Sequence, residues 1–99
     1  MTKTNIIQFK QWSYGIKKTN YATKGRIALQ LYDLQDYQPI ATATVNLPDE
    51  SIEEGHVFIK NWSENEGIYQ ALLKAGVIEP LVRRVSTGYV EAYVCKLLI

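Results

Sequence analysis

The stretch IALQLYDLQDYQPIATATVNL, residues 27–47, carries the reading of the fold. In its first part Ile27, Leu29 and Leu31 alternate with Ala28, Gln30 and Tyr32. In its last part Ala41, Ala43, Val45 and Leu47 alternate with Thr42, Thr44 and Asn46. A period of two is the signature of a strand with two unlike faces. The polar segment between them, with Asp36 and Pro39, is turn-like, so the two runs predict an antiparallel pair.

The pattern extends outward on both sides. Ile6, Ile7 and Phe9 precede the strict alternation Trp12, Tyr14, Ile16, and Gly15 inside that run marks an expected bulge. Val57-Phe58-Ile59 is a short apolar run that reads as a strand. Another strand is expected from about Leu81, and Thr87-Gly88 turns the chain into a final strand over residues 89–98. One helix is signalled. Ser63 and Glu66 have the spacing of a capping box, Ile68, Ala71, Leu72 and Ala75 follow at helical spacing, and Gly76 stops it. A single helix leaves no crossovers for a parallel sheet. The expected class is α+β: a mostly antiparallel sheet of about six or seven strands with one short helix packed on one face, in a single domain over residues 1–99.

Composition agrees with this. The chain has 99 residues, 46% apolar and 21% charged, the mix of an ordinary folded domain and not of a disordered, collagenous or coiled-coil chain. Cys95 is the only cysteine, so no internal disulfide can form. A lone thiol and an N-terminus without an apolar leader point to the cytoplasm. No apolar run approaches the roughly 20 residues a bilayer requires, so no membrane association is expected. Neither His56 nor Cys95 sits in a metal-ligand pairing, and Asp49, Glu50, Glu53 and Glu54 lack the spacing of a calcium loop. No metal and no cofactor are expected. Cys95 and His56 are the one candidate nucleophile–base pair. With no third group to orient them and no glycine-rich phosphate loop, the chain reads as a non-enzyme.

The net charge of +1 conceals a segregation. Residues 1–26 carry Lys3, Lys10, Lys17, Lys18, Lys24 and Arg26 with no acid. Residues 27–66 carry Asp33, Asp36, Asp49, Glu50, Glu53, Glu54, Glu64 and Glu66 against Lys60 alone. The remainder is weakly basic. Two binding readings follow. The acidic cluster can imitate phosphate spacing and occupy a basic nucleic-acid groove on another protein. Asp49, Glu50, Glu53 and Glu54, with Tyr89 and Tyr93 on the tyrosine face of the last strand, are the candidate protein-binding residues. Alternatively Lys10, Trp12, Lys17, Lys18 and Lys24 combine phosphate attraction with a stacking platform and bind single-stranded nucleic acid. Each has a plainer counterpart. Lysines protect sheet edges, acids complement the first turn of a helix, and tyrosine is an ordinary strand residue. Arg83 and Arg84 could clamp an anion, but neighbours on a strand face opposite ways, so one of them is expected in a salt bridge or at an edge. An exposed apolar face would leave homodimerisation open.

Residues 40–48, IATATVNLP, resemble a segment in a family of small uncharacterised proteins, a domain of unknown function, from phages and conjugative elements of Gram-positive bacteria. The resemblance continues through the short strand and weak helix of residues 57–75 and the closing Ser86-Thr87-Gly88-Tyr89. It covers about two-thirds of the chain and leaves out the basic N-terminal third. It implies a setting, a mobile genetic element inside a bacterial cell, and transfers no catalytic residue. Small charged proteins in that setting resemble counter-defence inhibitors, such as anti-CRISPR proteins that occupy a host nuclease.

Overall fold

A computed structural model describes residues 5–99, so Lys3 of the basic segment lies outside the described residues. Strands β1 (Asn5–Phe9), β2 (Trp12–Asn20), β3 (Ile27–Asp33) and β4 (Pro39–Thr42) form one sheet in the order β1-β2-β3-β4. Strands β5 (His56–Ile59), β6 (Arg83–Thr87) and β7 (Val90–Lys96) form a second, in the order β5-β7-β6. Every pairing is antiparallel. With the short helix α1 (Ile68–Lys74), this is the α+β class that the alternation predicts.

The division into two sheets is set within the opening stretch. The predicted strand over residues 40–47 ends its regular pairing at Thr42, and the chain then leaves the first sheet for the second. Ala43 still donates its N–H to the Leu29 carbonyl at 2.8 Å, but the Leu29 N–H goes to the Thr44 hydroxyl at 3.3 Å. That hydroxyl also meets the Tyr21 hydroxyl at 2.8 Å. A side chain has replaced the next backbone acceptor, which frees the Thr44 backbone to bridge to Ile59 of β5. The Val45 N–H then donates to the Phe58 carbonyl at 3.0 Å. Residues 43–45 thus join the two sheets.

Strand β5 and the middle of β7 are buried on both faces. On one face Val57, Ile59 and Cys95 pack against Ile7, Leu29 and Leu31 of the first sheet and Ile68 and Leu72 of α1. On the other, Phe58, Val85, Ala92 and Val94 form a separate cluster, roofed by Val45, Leu47, Ile52 and Trp62. Strands buried on both sides need no polar alternation, which is why Val57-Phe58-Ile59 is continuously apolar.

Two local expectations are corrected. Gly15 does not form a bulge: it pairs in register with Ile6 and Tyr32. Its missing side chain makes room for the Tyr32 ring, with which an added Cβ would collide. The irregularity falls between Leu31 and Tyr32 instead. The capping box also does not form. Ser63 lies in a 3-10 turn (Ser63–Asn65) at φ 59° with no side-chain cap, and α1 begins only after Gly67. The start of α1 is held from further back. Asn61 Oδ1 accepts the N–H groups of Gly67 at 3.1 Å and Tyr69 at 2.9 Å. The C-terminus follows expectation. Gly76 adopts φ 74°, donates to Leu73, and lets Val77 donate to Leu72, which satisfies two otherwise orphaned carbonyls. Asn61→Ala removes an acceptor from two backbone donors at once, and should lower stability by about 1–2 kcal/mol. Denaturant titration with an unchanged slope is the check.

Candidate functional site

The connection from β4 to β5 is the roof of the second cluster, and it carries the acidic cluster. Val45, Leu47 and Ile52 point down into the apolar layer, while Asp49, Glu50 and Ser51 between them are exposed. The Glu50 N–H donates to the Leu47 carbonyl at 3.0 Å and the His56 N–H to the Glu53 carbonyl at 3.2 Å. Two turns therefore fold the segment onto itself.

Three cations from distant parts of the chain fasten this loop, and they do so largely through its backbone. Lys24 Nζ donates to the Pro48 carbonyl at 2.6 Å, and an Arg26 guanidinium N–H to the Leu47 carbonyl at 2.5 Å. Arg26 also sits over the Phe58 ring, 6.0 Å from its centre. Arg83 donates to the Ser51 carbonyl at 2.9 Å and to Glu53 Oε1 at 2.8 Å. The hydrogen bond from Arg83 holds the Glu53 carboxyl below its ordinary range. Glu53 is thereby spent on the loop's own structure. Asp49, Glu50 and Glu54 remain exposed, and among the described residues none of them takes part in an ion pair. The fastened loop thus presents three exposed carboxylates that form no ion pair among the described residues.

Tyr89 and Tyr93 do not join that surface. Tyr89 is wholly exposed at the tip of the β6–β7 turn. Tyr93 is half-buried and packs edge-on against Tyr69 of α1, ring centres 5.0 Å apart. The helix covers the tyrosine face of β7, while the acidic loop covers the opposite face through Ala92 and Val94. Arg83 and Arg84 divide as neighbours on a strand must: Arg83 pairs with Glu53, and Arg84 lies over the Tyr93 ring at 5.5 Å.

The basic segment is dispersed by folding. Lys10, in the β1–β2 turn, donates to the Glu64 carbonyl at 3.0 Å, and Lys18 to the Ile99 carbonyl at 3.2 Å. Lys24 is engaged with Pro48, as above. Lys17 points to the opposite face of the first sheet from Lys18. Trp12 is exposed at the start of β2. Lysines and tryptophan therefore do not line one groove. The loop-fastening role of Lys24 and Arg26 was hidden in the sequence, because each meets its carbonyl across more than 20 residues of chain.

Other titratable groups are separated from one another. Cys95 is fully buried, and burial pushes its thiol up to about 12. Cys95 pairs with Val57 and His56 with Lys96, so the two side chains leave the sheet on opposite faces. They cannot act together as nucleophile and base. The His56 ring Nδ1 lies 3.0 Å from the Glu54 carbonyl. Among the described residues no three His, Cys, Asp or Glu side chains converge on a metal-sized site, and no helix is long and apolar enough to cross a membrane.

Glu64 pairs with Lys60 at 2.9 Å, and chiefly through that hydrogen bond its carboxyl falls from 4.5 to about 2. A depressed carboxyl stabilises the fold above its unfolded value and loses that contribution as pH falls through about 2. Lys60→Ala should raise the Glu64 midpoint toward the ordinary range, measured by NMR titration of its side-chain carboxyl. The chain matches no protein-family model, no curated protein and no solved structure.

Proposed function

We propose that this chain is a small non-enzymatic binding protein that sets its acidic loop against a basic surface of a protein partner. The observation that carries the reading is the loop of residues 48–54. Its backbone is fastened by Lys24, Arg26 and Arg83, while Asp49, Glu50 and Glu54 are left exposed and unpaired among the described residues. A loop whose backbone is already fastened loses little freedom on docking. Their field speeds encounter with a basic groove and discourages acidic competitors. A groove shaped for nucleic-acid phosphates offers that complement. With the setting implied by the family resemblance, the reading extends to a counter-defence inhibitor acting on a host nuclease, such as a CRISPR nuclease.

The test uses the intact chain and its triple variant Asp49→Asn, Glu50→Gln, Glu54→Gln. These changes remove charge and leave Glu53, and with it the Arg83 pair, untouched. The wild-type chain should retain a basic protein from a lysate of its bacterial host, weakly at high salt, and single-stranded DNA should compete that protein off. The triple variant should lose roughly tenfold or more in affinity, the scale of several rim charges acting together. Retention unchanged by the triple substitution sinks the proposal. So does direct binding of single-stranded DNA to the chain itself, read by Trp12 fluorescence at two salt concentrations.

A further inference from the structure

The second sheet ends in an open edge. In the order β5-β7-β6, strand β6 is outermost. Among the described residues its backbone hydrogen-bonds to no segment other than β7. The opposite edge of this sheet, β5, is occupied. Residues 43–45 run from β4 onto β5, and α1 packs beside β1. An unpaired strand of five residues is a template for another strand unless its side chains forbid pairing.

The side chains of β6 suit one particular strand, namely β6 of a second copy. We propose that two chains pair antiparallel through β6 about a two-fold axis at Val85, making one six-stranded sheet. Alternation of the backbone groups allows only registers that set a residue opposite itself at the axis. Centring on Arg84 would oppose two guanidinium groups and is disfavoured. Centring on Val85 instead sets Arg84 opposite Ser86 of the second copy, and Arg83 opposite Thr87, with all five residues paired.

Charge complementarity supports the same register. Ser86 pairs with Glu91 on β7, and Arg84 with Tyr93, so these four side chains share one face. Across the axis the row on that face runs Tyr93, Arg84, then Ser86 and Glu91 of the second copy. Two strand spacings, about 10 Å, separate Arg84 from that Glu91 with only a small serine between. Two long side chains span this distance, and symmetry repeats the pair. Glu91 has no ion-pair partner among the described residues, and Arg84 rests on Tyr93 without an acid.

The ends of the edge match as well. Val82 is 56% exposed before β6 and Tyr89 is 107% exposed after it. Antiparallel pairing about Val85 brings the Tyr89 of one copy beside residues 81 and 82 of the other. Two isolated apolar side chains in the monomer become a contact in the pair. The interface is isologous, with the same patch on both sides, and small, so the association is concentration-dependent.

Sedimentation equilibrium tests this from low micromolar to near-millimolar concentration. The wild-type mass should rise from 11.3 kDa toward twice that value. Arg84→Glu and Glu91→Arg each replace two attractions with two repulsions, and each should move the midpoint at least roughly tenfold toward higher concentration. The double variant swaps the charges and should return the midpoint to near wild type. Both positions are exposed, so circular dichroism should show the native fold in all three variants. A chain that stays monomeric throughout the range overturns the proposal. So does a dimer that neither single substitution weakens, or a loss that the double variant fails to restore. None of these substitutions touches the acidic loop, so this result is independent of partner capture.

Discussion

Leu72→Ala should lower the stability of the fold by about 3 kcal/mol, within the roughly 2–5 kcal/mol seen when a buried leucine is truncated. Leu72 is fully buried and, with Ile68, is one of the two buried residues of α1. A helix of seven residues does not persist in water on its own propensity. It is held by Asn61 at one end, Gly76 at the other, and the packing of its apolar stripe on both sheets. Removing the leucine leaves a void in the buried cluster it shares with Ile7, Ile59 and Cys95, where neighbouring strands cannot collapse freely. Against a typical total of about 5–15 kcal/mol, this is a large fraction. The denaturation midpoint should fall with an unchanged slope. Lys74→Ala, on the exposed side of the same helix, should stay within about 0.5 kcal/mol of wild type. Equal effects at the two positions would refute the packing account of α1.

The native chain should resist thiol reagents, with Cys95 modified at least about a thousandfold more slowly than in denaturant, since a fold stable by about 5 kcal/mol is rarely open. Cys95 is 0% exposed, and burial pushes its thiol up to about 12. Both the access and the thiolate that reaction needs are therefore withheld. When opening and closing are fast relative to labelling, the rate follows the population of the open state. Leu72→Ala should then raise it about a hundredfold, matching the stability lost. Rapid stoichiometric labelling of the native wild-type chain would show that β7 is not buried on both faces. The pair of measurements links the helix to the strand across the shared core.

Legibility in the sequence followed the range of the interactions. The alternation of Ile27, Leu29 and Leu31 is a local property, and so is the stop at Gly76; both appear in the structure as read. The end of β4 was not legible, because it turns on the Thr44 hydroxyl accepting an N–H fifteen residues away and sharing a hydrogen bond with a hydroxyl 23 residues away. The Ser63–Glu66 spacing was a true local signal that lost to competition. Asn61 reached the same helix end from further back, and the positive φ of Gly67 delayed the helix start. Tyr93 was assigned to the correct strand face, but which element covers that face depends on where α1 docks.

The candidate surface divides in the same way. By itself the sequence determined the antiparallel α+β class and the separation of a basic first quarter from an acidic middle. Those are matters of period and composition along the chain. Only the tertiary structure decided which charges remain available to a partner. Lys24, Arg26 and Arg83 lie 21 to 32 residues from the groups they hold in the acidic loop. Folding brings them there, and they bind mostly carbonyls instead of carboxylates. Hydrogen-bond geometry at a few ångströms decides that choice, and it leaves Asp49, Glu50 and Glu54 facing outward.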